Sequence, residues 1–215
     1  MTTRMMLALA MLGPLLALPP VGPAGPATTP GPVPNTYTAR LAPVPLNGAS
    51  ASGADGVLTL TLQGKTAQIT EDVHGLAAIF ESQPYPHLQH LHGLRRGTCP
   101  TAATDANHDG VISGVEAEPD YGPALTTLSV AGDTSPAAAT NTRLTPTGSS
   151  YHYSRTIPLN SRTMEAIRSG TAVIVVDGLD PATAAKSATT RSSVLEPALP
   201  LEITSPALCG TLVAR

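Results

Sequence analysis

The chain has little charge and few aromatic side chains. Of its 215 residues, 13% are charged and 3% are aromatic, there is no tryptophan, and the formal net charge is −3. A nucleic-acid-binding protein usually presents a basic face, so this composition argues against that class of partner. The sequence also contains no heptad pattern and no internal repeat, which argues against a coiled coil or a repeat array.

Long apolar runs are also scarce, and the one that stands out lies at the N-terminus. Arg4 is the only charge before the apolar run Met5–Leu18, and small residues and prolines follow up to Ala27. A basic start, an apolar run too short to span a bilayer and a small-residue cleavage zone are typical of a secretory signal peptide. We therefore expect residues 1–27 to be a signal peptide and the mature protein to be extracellular or periplasmic, without a membrane span.

The rest of the chain predicts one all-β domain. Residues 28–35 are rich in Pro and Gly, and we expect them to form a disordered linker. Residues 36–215 contain many short β-branched or alternating runs, which indicate a Greek-key β-sandwich or barrel. One short helix is predicted, capped by Asn160 or Ser161 and ended by Gly170. The predicted strands are Thr36–Leu46, Gly56–Leu62, Thr66–Val73, Pro86–His92, Leu125–Val130, Tyr151–Ile157, Thr171–Val176, Leu199–Ile203 and Cys209–Val213.

A loop in the middle of the chain fits the calcium-binding pattern D-x-N-x-D-G-x₅-E at every required position. Calcium needs several carboxylate and carbonyl oxygens that converge on one point, and this spacing supplies them. Pro and Gly on both sides of the loop indicate that no helices flank it, so the expected role of the ion is structural. The alternative is a polar turn that holds no ion. The candidate calcium ligands are Asp105, Asn107, Asp109, Val111, Ser113 and Glu116.

The chain contains only two cysteines, Cys99 and Cys209. In an exported protein, such a pair favours a disulfide. A bridge between them would close a loop of about 110 residues, which stabilises the fold by roughly 4–5 kcal/mol in the chain-entropy model. The alternative is two buried free thiols.

Three of the six histidines lie close together, at His87, His90 and His92. In a strand, His90 and His92 would point to the same face. Two imidazoles on one face can supply half of a copper or zinc site. His87 has the wrong parity for that face unless a bulge re-aims it. The alternative is a pair of exposed histidines on a polar strand face.

The order of these motifs resembles that of the Cu/Zn superoxide dismutases. That family has an H-V-H strand, a loop cysteine, a V-V-H strand and a terminal A-C-G strand that is bridged back to the loop. The corresponding runs here are His90-Leu-His92, the loop with Cys99, Val175-Val176-Asp177 and Leu208-Cys209-Gly210. The chain is also similar to the related chordin-type (CHRD) domain, in which a short helix ending in glycine leads into a strand, as residues 164–170 lead into residues 172–177 here.

The resemblance covers residues 36 to 214 and implies a copper or zinc site at His90, His92 and Asp177, completed by His87 or a water. The departures concern catalysis: Asp177 replaces the third copper histidine, the zinc loop is not recognisable, and Pro206 stands where the dismutases have a substrate-guiding arginine. We therefore expect a secreted metal-binding domain with a binding or structural role, whose partners are metal ions and extracellular proteins or cell-surface components. The alternative is a copper-dependent oxidoreductase of superoxide dismutase type.

Overall fold

The structure, a computed structural model, describes residues 35–215. The predicted signal peptide and residues 28–34 of the predicted linker lie outside the described residues. The described strands are β1 (Thr36–Pro43), β2 (Asp55–Gln63), β3 (Thr66–His74), β4 (Ile79–Phe80), β5 (Gln83–Pro84), β6 (Gln89–His92), β7 (Ala124–Thr127), β8 (Tyr151–Pro158), β9 (Val173–Asp177), β10 (Pro206–Thr211) and β11 (Val213–Ala214). The described α-helices are α1 (Ala49–Ser52), α2 (Gly114–Tyr121) and α3 (Ser161–Arg168).

One antiparallel sheet of nine strands makes up most of the fold, which confirms the predicted all-β class. Its strands run in the order β7-β6-β9-β10-β1-β2-β3-β8, and β11 pairs with β1 beside this path. Strands β3 and β8 are neighbours in the sheet, as are β6 and β9, although each pair is far apart in the chain. These long crossovers between antiparallel neighbours are the Greek-key arrangement.

The sheet curls around a single apolar core. Along β2 and β3, buried and more exposed positions alternate, because successive side chains point to opposite faces of a strand. Leu125 of β7 and Ile157 of β8, at the two ends of the sheet, belong to the same buried cluster. Arg155 of β8 also reaches across the gap between these ends, and its Nη1 donates to the Ser129 carbonyl oxygen at 2.6 Å. The result is a half-barrel with its core inside.

Strands β6 and β9 are covered on both faces. They pair antiparallel, with His90 opposite Val175 and Leu91 opposite Ile174. Leu91 and Ile174 point into the barrel core. On the outer face, Val175 packs under a second apolar cluster that includes Tyr121 of α2. The side chains of His90 and His92 therefore lie under the loops that cover the outside of the barrel.

The disulfide holds this cover in place. Cys99 and Cys209 are bonded, with their Cα atoms 5.7 Å apart, as the sequence predicted. The bond joins the loop after β6 to strand β10. Within residues 35–215, no helix is long and apolar enough to cross a membrane.

Two segments differ from the sequence-based expectation. The predicted helix is present as α3, but α2 was not expected, because Pro119 lies inside it. A capping box at Ser113 and Glu116 satisfies its first backbone amides and offsets the hydrogen bond that Pro119 lacks. The prediction of a strand over Leu199–Ile203 was wrong, because Leu201–Thr204 forms a buried 3₁₀ turn. An alternation of five residues is too short to separate a strand from such a turn.

Candidate metal centre

A cavity of about 280 Å³ lies on the outer face of β6, and the side chains of His90 and His92 line it. Both histidines are buried, and their ring centroids are 5.5 Å apart. Asp177, the last residue of β9, reaches the same cavity from the neighbouring strand. The sequence-based pairing of these three residues in one place therefore agrees with the geometry. The other lining residues are Leu88, Gly114, Glu118, Tyr121, Gly122, Pro123, Ala124, Ala139, Thr140, Leu195 and Thr204.

Backbone carbonyls determine which nitrogen of each imidazole carries the proton. His90 Nε2 lies 2.9 Å from the Ala139 carbonyl oxygen, and His92 Nδ1 lies 2.8 Å from the Gly122 carbonyl oxygen. A carbonyl oxygen only accepts, so these two nitrogens must be the N–H donors. In the neutral rings, His90 Nδ1 and His92 Nε2 are then left with free lone pairs. A protein usually orients metal-binding histidines in this way, through a hydrogen bond from the second nitrogen.

The carboxyl group of Asp177 faces the free nitrogen of His90. Its Oδ2 lies 3.6 Å from His90 Nδ1, and its side chain is 9% exposed. That separation is too long for a good hydrogen bond. Among the described residues, no donor makes a hydrogen bond to the Asp177 carboxyl group. Its oxygens are therefore available to a ligand in the cavity.

Burial keeps this cluster uncharged near neutral pH. It lowers the pKa of His90 to about 4. For His92, burial and then the neighbouring His90 lower the pKa to about 3. Burial raises the pKa of Asp177 to about 8. The close approach of Asp177 to His90 is consequently a contact between a carboxylic acid and a neutral imidazole at pH 7, not an ion pair.

The structure places His87 outside the cavity. Its Nδ1 lies 3.0 Å from the Asp177 carbonyl oxygen, and its Nε2 lies 3.0 Å from the Ala77 carbonyl oxygen. Both nitrogens thus face backbone carbonyl oxygens, of which the neutral ring can donate to only one, and the ring packs edge-on against Tyr85. His87, the fourth candidate ligand, therefore does not line the cavity with His90, His92 and Asp177.

The calcium-type loop is closed by its own side chains. The Asp105 carboxylate accepts from the backbone amides of Asp109 and Gly110, at 3.2 and 3.0 Å. Asn107 Oδ1 accepts from the Asp109 amide at 2.9 Å, and Asp109 Oδ1 accepts from the Val111 amide at 3.0 Å. These turns bring the first three candidate ligands of the loop to its inner side. The backbone folds as the motif requires, with Gly110 at a φ of 85°.

Two further contacts involve the candidate ligands of the loop, one within the loop and one to the segment after β9. Glu116 Oε2 accepts from the backbone amide and the hydroxyl of Ser113, at 2.9 and 2.7 Å. Arg191 Nη1 lies 2.7 Å from Asp109 Oδ2. Burial would raise the pKa of Asp109, but its contacts with Arg191, Asn107 and the Val111 amide lower it overall. The guanidinium group of Arg191 therefore supplies a positive charge at the edge of the candidate calcium site.

Both sets of side chains would have to move to enclose an ion. Within residues 35–215, no group of three or more His, Cys, Asp or Glu side chains stands at the distances of a finished metal site. Metal–nitrogen bonds are about 2 Å long. An ion would draw the Asp177 carboxylate and His90 Nδ1 towards itself, and in the loop it would draw Glu116 away from Ser113.

Several residues of these sites gave no signal in the sequence. Tyr121 is the last residue of α2 and Gly122 is its C-cap. The sequence did not predict this helix, because Pro119 lies inside it. Arg191 is 82 positions from its partner Asp109, and one arginine in a polar loop carries no pattern. Glu71, which belongs to neither site, is fully buried in β3; the alternation around it could have identified it as a core position.

Comparisons with known proteins assign no family and no function to this chain. No protein-family model matches this chain, and no curated protein matches it.

Proposed function

We propose that the chain is an exported metal-binding domain. A transition-metal ion is held by His90 Nδ1, His92 Nε2 and the carboxylate of Asp177, and calcium stabilises the loop 105–116. Copper(II) or zinc(II) suits this ligand set, because imidazole nitrogens with one carboxylate favour these borderline ions over copper(I). The role of the protein is binding or structural.

The observation that carries this proposal is the pair of hydrogen bonds from His90 and His92 to backbone carbonyls. Both nitrogens of His87, by contrast, face backbone carbonyl oxygens, so that ring offers no lone pair to the cavity. The rings of His90 and His92 each use one nitrogen and leave the other without a protein partner in a cavity that also contains a free carboxyl group. Two oriented imidazoles and one carboxylate leave a fourth position open, and an open position is typical of an ion that binds an exogenous ligand.

Calcium in the loop would stabilise the segments that pack on the outside of the barrel. The loop packs on the segment after β9, where Val111, Leu179 and Ala188 form a small apolar cluster. Ser187 Oγ also donates to the Asp109 carbonyl oxygen at 3.0 Å. An ion in the loop would therefore connect α2 with the segment 180–192. The helix α2 begins at Gly114, within the last residues of the loop, so the expectation that no helix flanks the loop was wrong on that side.

The family proposal remains a CHRD-type or Cu/Zn superoxide dismutase-like domain. The Greek-key sheet and the bond from the loop cysteine to the last long strand support it. A copper-dependent oxidoreductase is the second candidate, because the cavity opens directly onto the proposed ion. Fast dismutation is not expected, since the lining residues of the cavity include no lysine or arginine to attract superoxide.

Metal analysis of the purified mature protein tests the proposal. We expect about one equivalent of copper or zinc, lost in a His90→Ala/His92→Ala variant and retained in a His74→Ala control, whose histidine is exposed on β3. A superoxide assay of the copper-loaded protein then separates the two candidates. Turnover close to the diffusion limit that the double variant abolishes would favour the enzyme. An absence of specific uptake in the wild-type protein would refute the transition-metal site.

A further inference from the structure

The cavity at the proposed metal site has the size and surface of a binding site for a small organic molecule. Its volume of about 280 Å³ lies just below the usual range of ligand pockets, which begins at roughly 300 Å³. Apolar side chains form much of its wall. They are Leu88, Pro123, Ala124, Ala139 and Leu195. A compact molecule with an apolar body would lose little on entering it.

The side chains around the cavity supply no positive charge that would attract an anion. Its lining includes the two carboxyl groups of Asp177 and Glu118 and no lysine or arginine. Two of the three lining hydroxyls already donate within the protein, that of Tyr121 to the Gly114 carbonyl oxygen and that of Thr204 to Ser193 Oγ. An anion in the cavity would lose its hydration and find few donors to replace it, which is costly.

From these observations we propose that the cavity binds a small organic molecule with a neutral nitrogen donor and excludes anions of similar size. The inference rests on the proposed function, because the nitrogen lone pair would complete the coordination of the ion held by His90, His92 and Asp177. Copper(II) and zinc(II) both accept such a nitrogen. The apolar body of the ligand would lie against Leu88 and Leu195.

Leu195 forms the outer wall of this binding site. It is 53% exposed although it lines the cavity. Ser193 stabilises the turn that contains Leu195, because its hydroxyl accepts from the Leu195 amide at 3.1 Å. A side chain at position 114 would displace Leu195, since a Cβ there would lie 2.8 Å from Leu195 Cδ1 and 2.9 Å from the Thr204 carbonyl oxygen. Gly114 therefore allows the leucine to lie close to α2 and to cover the ligand.

The test compares imidazole with azide on the copper(II)-loaded protein, by the visible and electron paramagnetic resonance spectra. Imidazole is expected to change both spectra with a half-saturating concentration at least about tenfold lower than that of azide. In Glu118→Lys, azide should bind about tenfold more tightly than in the wild-type protein, because the wall changes from negative to positive. Glu165→Lys is the matched control, since it makes the same charge change at an exposed position of α3.

Each result decides the proposal. Equal affinities for azide and imidazole in the wild-type protein would overturn it, and so would an azide affinity that Glu118→Lys and Glu165→Lys leave unchanged. A protein that takes up no copper would instead refute the proposed metal site. Amide NMR of the metal-free protein then still tests the cavity. Shifts in residues 118–124 and 139–140 with imidazole and not with azide would show that the cavity itself admits the neutral molecule and excludes the anion, and equal shifts with both would overturn that selectivity.

Discussion

The burial of Glu71 predicts how the free energy of unfolding depends on pH. This residue lies in the middle of β3 and points into the barrel, where it is 0% exposed. Neither of its carboxyl oxygens has a hydrogen-bond partner, and the hydroxyl of Tyr153, its cross-strand neighbour on β8, has none either. A buried charge without a partner is strongly unfavourable, so the carboxyl group keeps its proton.

The burial of Glu71 lowers the free energy of unfolding as the pH rises. Burial, with a smaller effect of Asp72, raises the pKa of Glu71 from 4.5 to about 8. Between these values the folded state holds a proton that the unfolded state releases, so the free energy of unfolding falls as the pH rises. At 1.36 kcal/mol per pH unit, the loss is about 3 kcal/mol at pH 7 and reaches a limit of about 5 kcal/mol above pH 8. Local relaxation or water entry would make the measured loss smaller.

Urea unfolding of the wild-type protein and Glu71→Gln at pH 5, 7 and 9 measures this loss. The glutamine has nearly the same volume and no charge, so the variant should match the wild-type protein at pH 5 within about 1 kcal/mol and exceed it by several kcal/mol at pH 9. Glu165→Gln, on the exposed face of α3, should follow the wild-type curve. Some slope will persist in both variants, because burial also raises the pKa of Asp177. Parallel curves for the wild-type protein and Glu71→Gln would refute the reasoning.

Three further predictions concern the ions. Calcium at a hundredfold excess over its Kd should raise the free energy of unfolding by about 2.7 kcal/mol, and Glu116→Gln should abolish that gain; a melting temperature that ignores both calcium and chelator would contradict it. Arg191→Gln should tighten calcium binding several-fold in calorimetry, because it removes a cation 2.7 Å from Asp109 Oδ2; Lys186→Gln removes a nearby charge without such a contact and should have a much smaller effect. Copper uptake at pH 7 should release about one proton, measured in buffers of different ionisation enthalpy, because the pKa of Asp177 is raised to about 8; no release at pH 7 would show that Asp177 is not a ligand.

Local patterns predicted the parts of the fold that local physics controls. The alternation in β2 and β3 indicates which side chains are buried, because the strand period is two. The helix α3 was predictable from its cap, since Asn160 accepts from the Thr163 amide at 2.9 Å. The same kind of reasoning failed for α2, where Pro119 is a breaker in most contexts. In α2 the capping box and the burial of Tyr121 outweigh it, and only the tertiary structure reveals that balance.

The candidate metal centre was likewise predictable only in part. The spacing of His90 and His92 was enough to place both rings on one face, because parity is a property of the strand alone. What turns the pair into a candidate site is the set of acceptors on their far nitrogens. These acceptors are the carbonyl oxygens of Ala139 and Gly122, which are 49 and 30 positions away in the chain. A backbone carbonyl leaves no trace in the identity of its residue, so no motif could have predicted them. The sequence therefore predicts which side chains can bind an ion, whereas the fold determines which nitrogen of each ring is free to do so.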